Sequence, residues 1–165
     1  MIRKACARDG EQIAAIYKWY VENTTITYEI TVPGPTEMTQ RILDTIENNP
    51  YLVYEEAGKV VGYAYSHQLR PREAFFVAAE VSIYLDKDAC HGGKGQELID
   101  ALFEELKKYK YTTAVALISA DNENSAKFFE KLGFNFKGTI DHVGYKFNKW
   151  LGLSYYSKQL KEYTD

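Results

Sequence analysis

The sequence predicts a mixed α/β fold: a mostly antiparallel sheet of about seven strands, flanked by about four helices. Three observations lead there. Apolar residues recur at helical spacing in some stretches and form short alternating or continuous runs in others. The order reads β, α, α, β, β, β, α, β, α, β, β, with a single β-α-β stretch in its middle. Finally, 165 residues, 45% of them apolar or aromatic, suit one domain spanning 1–165.

The elements follow in order. Ile2–Cys6 is a short strand. Asp9 is placed to cap a helix, since a carboxylate accepts from free N–H groups two or three residues on. Ile13, Ile16, Tyr17 and Tyr20 then form the helix's apolar face. The polar, β-branched run Glu22–Glu29 leaves that helix. Pro33 and Pro35 precede a second helix, about Thr36 to Asn48, with Met38, Ile42, Leu43 and Ile46 on one face, closed by Pro50. Tyr51–Glu55 and Lys59–His67 make a hairpin around Glu56-Ala57-Gly58. Arg70–Glu73 is a loop, and Phe75–Leu85 a long strand with one acid, Glu80, in an apolar and small-residue run. The glycine turn Cys90–Gly95 feeds an amphipathic helix from Gln96 to about Lys108, with Leu98, Ile99, Leu102, Phe103 and Leu106 inward. Thr113–Ile118 is a buried strand. Asp121–Ser125 opens a helix that ends at Leu132-Gly133, where glycine fits a left-handed position. Phe134–Lys137, Val143–Asn148 and Leu153–Leu160 supply the last strands.

Composition excludes several function classes. A net charge of −3 with 26% charged residues fits neither a disordered chain nor a nucleic-acid footprint. Two cysteines, Cys6 and Cys90, make no disulfide framework, so a reducing cytoplasm is the default. The opening MIRKACARDGEQ has no apolar h-region, and no run approaches the ~18 apolar residues of a membrane span. Fourteen Tyr suggest half-buried walls where a ring packs and a hydroxyl stays wet, or simply strand-rich packing.

The informative piece is the strand, glycine turn and helix at 80–106. Glycines let backbone approach a ligand, and a helix N-terminus favours an anion, usually phosphate. A Walker loop is absent: Lys94 is followed by Gly95, and Asp88 stands five residues before Gly93. A dinucleotide fingerprint fails at Leu98. From the turn alone, a bare glycine turn with no ligand stays open.

Longer stretches carry a resemblance. The run Val81–Gly95, with Cys90-x-x-Gly93-x-Gly95, resembles the acyl-CoA loop of the GNAT acetyltransferase superfamily, where Arg or Gln usually stands in place of Cys90. Asn122–Phe134, ending Leu-Gly-Phe, is similar to that family's second signature. Val21–Glu29, Gly62-Tyr63-Ala64, Arg70-Pro71-Arg72, Ala79-Glu80 and Val143–Leu151 resemble the phosphinothricin N-acetyltransferase-like branch. The resemblance covers nearly the whole chain.

It implies a GNAT fold and direct transfer of acetyl from acetyl-CoA to the primary amine of a small amino-acid-like acceptor, of the phosphinothricin or methionine sulfoximine type. No metal, nucleic acid or membrane partner is implied; a homodimer is. Glu80 is the expected general base, or else a structural acid paired with Arg70 or Arg72. Ile83, Tyr84 and Leu85 are expected to meet the pantetheine arm through their backbone, or to be a plain core strand. His91, Gly92, Gly93, Lys94 and Gly95 are expected to hold the pyrophosphate. Asn122, with Ser125, contacts pantetheine or caps its helix. Phe129 stands where many relatives carry a proton-donating Tyr, which leaves Tyr84, Tyr155 or Tyr156 as the acid, or an unassisted thiolate. Cys90 is a redox-sensitive thiol or a small filler. Thr25, Tyr28, Arg70, Arg72, Lys146 and Trp150 are candidates for the acceptor site, the cations because Arg binds carboxylate or phosphinate bidentately. The same chemistry on a polyamine, an aminoglycoside or a protein N-terminus, and a non-catalytic acyl-CoA-binding module, are the alternatives.

Overall fold

In the computed structural model, which describes residues 1–163, the elements are β1 (Ile2–Lys4), α1 (Gly10–Asn23), α2 (Pro35–Ile46), β2 (Tyr51–Glu56), β3 (Lys59–Gln68), β4 (Ala78–Leu85), α3 (Lys94–Leu106), β5 (Thr113–Ser119), α4 (Glu123–Lys131), β6 (Asn135–Lys146) and β7 (Lys149–Gln159). The strands form one sheet in the order β1-β2-β3-β4-β5-β7-β6. Every pairing is antiparallel except that of β4 with β5, the pair joined by α3. The expected order of elements is the observed one.

Strand alternation divides the core between the two sheet faces. On one face Ile13, Tyr17, Tyr20 and Val21 of α1 and Met38 and Ile42 of α2 pack on Tyr51, Val53 and Tyr63. On the other, Leu98, Ile99, Leu102 and Leu106 of α3 and Phe129 of α4 pack on Ala64, Ala79, Val81, Ala114 and Ala116. The four aliphatic residues of α3 have no exposure, so each contributes roughly 1.5–3 kcal/mol of burial. Alanines at the facing strand positions leave room for them.

Six local expectations are corrected. Asp9 does not cap α1: its carboxylate turns back to accept from the Cys6 N–H (2.9 Å) and from Arg3 (2.8 and 2.9 Å), closing a 3-10 turn at Ala7–Asp9. In α2 only Met38 and Ile42 are buried, while Leu43 and Ile46 are each 38% exposed on the outer flank. The strand expected from Phe75 begins at Ala78, because β3 ends opposite Ala79 and offers no earlier partner; Glu73–Val77 forms a 3-10 turn instead. Phe134–Lys137 and Val143–Asn148 belong to one bulged strand, β6, whose register shifts at Phe136/Gly138 and Ile140/Gly144 absorb the polar residues between them. Phe134 itself is not in that strand: its N–H bonds Phe129 O (3.0 Å), and Gly133 (φ 88°) completes the α4 terminus. Asn148 is not a strand residue either. With Phe147 it makes the two-residue left-handed turn into β7 (φ 50° and 58°).

Candidate active site

The sheet forks at its centre. β4 and β5 pair only at Ala78↔Thr113, Ala79↔Ala114 and Glu80↔Val115. Beyond Glu80, β4 stays with β3, and beyond Val115, β5 stays with β7. The gap between them is a cleft of about 460 Å³, walled by Val81–Leu85, by Ala116–Ser119 and by the facing ends of α3 and α4.

Hydrogen-bond alternation decides which backbone groups face that cleft. Leu69 N–H bonds Ala78 O, and Asp86 N–H bonds Val61 O. In an antiparallel ladder every second residue is then turned to β3. Glu80, Ser82 and Tyr84 spend both backbone groups on His67, Tyr65 and Tyr63. Val81, Ile83 and Leu85 direct theirs to the cleft. Leu85 O already accepts the Tyr20 hydroxyl (2.6 Å) and the Glu80↔Val115 rung uses the Val81 N–H, so Val81 O, both groups of Ile83 and the Leu85 N–H carry the open strand edge. Of the three residues expected to meet the pantetheine arm, Tyr84 therefore has no backbone group available for it.

Side chains alternate the other way. Val81 and Ala79 face α3, whereas Tyr84 faces α1, and Glu80 and Ser82 share its side. Tyr84 sits edge-on to Tyr17 and Tyr20 and stacks on Tyr63 (5.3 Å), and burial pushes its phenol well above the ordinary range. Glu80 lies at the apex of the fork, with 19% of its side chain exposed and His67 Nε2 4.0 Å away. Among the described residues it pairs with neither Arg70 nor Arg72. Arg70 bonds Leu69 O (3.0 Å), and both arginines sit in the exposed loop between β3 and β4.

The glycine turn leads into α3. Gly92 and Gly93 take left-handed φ values of 82° and 78°, and Gly93 is the N-cap. Gly93 and Gly95 line the cleft, with the first N–H groups of a thirteen-residue helix behind them. Lys94 leans away, toward His91 O (3.4 Å) and Glu56 (3.6 Å). His91 and Gly92 are exposed and do not line the cleft; Cys90 does. Asn122 caps α4: its Oδ1 accepts from Ser125 N–H (3.2 Å) and its Nδ2 donates to Ser125 Oγ (2.6 Å), at the cleft wall. Phe129 lines the cleft as well, edge-on to Phe128 and Phe134. Neither Tyr155 nor Tyr156 lines it, and Tyr156 faces the α3 side.

Several acceptor-site candidates prove to be ties within the fold. Lys146 is 4% exposed; its ammonium donates to Thr27 O (2.8 Å), and desolvation lowers its pKa. The Tyr28 hydroxyl donates to Gly152 O and lies 2.9 Å from Ser119 Oγ, while Thr25 donates to Asp121 (2.9 Å). Together they fasten the 24–34 segment over the far ends of β5 and β7. Trp150 is 65% exposed on the β6–β7 hairpin beside Tyr145, away from the cleft.

The sequence reading missed a polar cluster at the mouth between α1 and α2. The Tyr17 hydroxyl meets Thr27 (2.6 Å) and Glu29, and Glu29 takes two bonds from Arg41 (2.9 and 2.7 Å). No local pattern joins Arg41 to a carboxylate twelve residues earlier.

A strand edge left open at a fork, a left-handed glycine turn and a helix N-terminus meet in this one cleft. The chain matches the family described as "Acetyltransferase (GNAT) domain" over residues 2–152, and it belongs to that family of N-acetyltransferases. It is 33% identical to a phosphinothricin N-acetyltransferase of Alcaligenes faecalis, over 87% of this chain and 74% of that protein. It is 34% identical to the L-methionine sulfoximine/L-methionine sulfone acetyltransferase of Pseudomonas aeruginosa PAO1, over 93% of this chain and 91% of the other. A structure of a Salmonella typhimurium acetyltransferase with its cofactor acetyl-CoA superposes with a TM-score of 0.95 at 28% identity, covering 100% of this chain and 96% of that one.

Proposed function

We propose that the protein transfers the acetyl group of acetyl-CoA to the primary amine of a small amino-acid-like acceptor, with Glu80 as general base. The observation that carries this is the position of Glu80: a part-buried carboxylate at the apex of the fork, one residue from the open strand edge.

Acetyl-CoA supplies an activated thioester. The cleft suits its long, linear carrier, since Val81 and Ile83 offer strand-like bonds to an amide-containing arm and the α3 N-terminus offers N–H groups to its phosphates. Gly93, Gly95 and Asn122 line that path. Ile83 N–H is the donor for the thioester oxygen. Glu80 removes the amine proton, directly or through one water. Tyr84, kept protonated by burial, is the candidate donor to the departing sulfur, because Phe129 has no proton to give. Arg70 and Arg72, both exposed beside the Glu80 end of β4, remain candidate partners for an acceptor carboxylate.

Phe129 favours one second reading, a module that binds acyl-CoA without turning it over. A homodimer is also proposed, supported by the apolar residues Ile140, Val143, Tyr145 and Trp150 exposed on the edge hairpin. The free thiols of Cys6 and Cys90 suit a reducing, cytoplasmic setting.

Release of free thiol from acetyl-CoA tests the proposal, with phosphinothricin, methionine sulfoximine, amino acids and polyamines as acceptors. The expected result is release with an amino-acid analogue. Coenzyme A binding without release from any amine would favour the binding module.

A further inference from the structure

Acetyl transfer to an amine releases a proton. A primary amine is largely an ammonium ion at neutral pH, so two protons leave its nitrogen on the way to the amide. One ends on the sulfur and the other in solvent. Glu80 can take the second, but only 19% of its side chain is exposed, and an acceptor resting on it covers more.

The structure places an outlet beside it. His67 is the direct partner of Glu80 across the β3–β4 ladder, so the two side chains stand together on one sheet face. His67 Nε2 lies 4.0 Å from Glu80 Oε2. The other ring nitrogen fixes the tautomer. Nδ1 lies 3.0 Å from Gln68 O, and a carbonyl only accepts, so Nδ1 carries the proton. In the neutral ring Nε2 is then a free lone pair turned to the carboxylate. A small side-chain rotation or one bridging water closes the 4.0 Å gap. The carbonyl that orients the ring sits on an anchored turn, because Gln68 Nε2 donates to Arg70 O (2.6 Å) and Arg72 O (2.8 Å). On its other side His67 reaches solvent, with 47% of its side chain exposed.

The surroundings leave His67 as the group that titrates. It lines a cavity of about 290 Å³ on the α1/α2 face, shared with Tyr17 of α1, Arg41 and Asp44 of α2, Tyr51 of β2 and Tyr65 of β3. The Tyr65 ring lies 6.3 Å from the imidazole. Arg70 and Arg72 stand in the loop after β3. Burial holds the phenols of Tyr17, Tyr51 and Tyr65 above the ordinary range, and bonds to Glu29 and Glu37 keep Arg41 cationic. Histidine is the side chain whose charge ordinarily changes between about pH 5 and 8.

We propose that His67 is the proton outlet of Glu80, taking at Nε2 the proton that Glu80 removes from the amine and passing it to solvent. An N–H bond of the amine breaks as the Glu80 O–H forms. That O–H breaks as the Nε2–H forms, and the imidazolium then gives the Nε2 proton to water. Nδ1–H stays on Gln68 O throughout, and Glu80 is left ionised for the next cycle. His67 acts through Glu80 and does not touch the acceptor. An imidazolium has no lone pair at Nε2, so the outlet closes in acid. The proposal rests on the reading of Glu80 as base.

The test measures thiol release from acetyl-CoA with phosphinothricin and methionine sulfoximine across about pH 5–9. It compares wild type, His67→Ala, His67→Gln, Glu80→Gln and the double variant Glu80→Gln/His67→Ala. The half-exposed ring can be removed without opening the core. At neutral pH His67→Ala is expected to lower kcat about tenfold, with KM for acetyl-CoA within about twofold. That is less than the ~10²–10⁴ of a lost base, because water takes over part of the role. Added imidazole should restore at least about half of the lost rate in His67→Ala. It should restore none in His67→Gln, whose side chain fills the place without a relay nitrogen. The fall of wild-type kcat on the acid side should flatten in His67→Ala. In the Glu80→Gln background, removing His67 should cost less than about twofold. A wild-type kcat in His67→Ala, a loss that imidazole does not rescue, or an equal loss in the Glu80→Gln background would overturn the outlet and leave the base reading intact. Full turnover by Glu80→Gln would remove the base reading and the outlet with it. No release by wild type with either acceptor would remove the proposed transfer to such acceptors, and again the outlet.

Discussion

Glu80 and Val115 form the last rung at which β4 and β5 are paired. One residue further, the two strands part, and the Glu80 side chain stands at that apex on the sheet face it shares with Tyr84. The fork supplies both parts of the proposed chemistry: an open backbone edge for the acyl carrier, and a base held by a rigid strand pair at its apex.

Tyr84→Phe tests the proton donor. Phenylalanine preserves the packing against Tyr17, Tyr20 and Tyr63. A thiolate is a good leaving group, so the expected loss in kcat is about tenfold, at the low end of general-acid effects or below it. Steady-state thiol release with saturating acetyl-CoA measures it. An unchanged kcat would mean that the thiolate leaves unassisted.

Gly93→Ala tests the phosphate turn. A Cβ at Gly93 would touch nothing within 4 Å, so the cost is confined to its φ of 78°. A left-handed non-glycine residue costs about 1–2 kcal/mol. Part of that cost should appear as a several-fold weaker Kd for coenzyme A in calorimetry. Coenzyme A binding of wild-type strength would show that the turn does not shape the phosphate site.

Asp9 supplies a pH test of stability. Burial pushes its carboxyl up, but bonds from Arg3 and the Cys6 N–H outweigh that and hold its pKa below the ordinary 3.8. The folded value lies below the unfolded one. The stabilisation is thus complete above about pH 4 and is lost as pH falls through the folded value. Asp9→Asn should lower unfolding stability by about 2 kcal/mol near neutral pH, the scale of a bond to a charged group. The gap to wild type should narrow in acid. Urea unfolding at several pH values checks both; a gap independent of pH would contradict this account of Asp9.

The fold was largely legible because its signals are local. Leu98, Ile99, Leu102 and Leu106 repeat at helical spacing, and Gly133 marks the end of α4 wherever the helix docks. The misread elements depended on partners elsewhere: whether Phe75 extends a strand is decided by where β3 ends, and whether β6 is one strand or two by how β7 absorbs its bulges. The site divides in the same way. Glu80 and the glycine turn stood out as an acid in an apolar run and a turn before a helix. Lys146 looked like a free cation because sequence does not reveal that Thr27 O captures it from 119 residues away.

The most direct test of the central claim is the rate of thiol release by Glu80→Gln, measured alongside its coenzyme A affinity. Glutamine keeps the shape of the side chain and cannot accept the amine proton as a carboxylate does. The account predicts a fall in kcat of about 10²–10⁴, the range for a lost general base, with coenzyme A binding within twofold of wild type. A Glu80→Gln enzyme that turns over at the wild-type rate would contradict it.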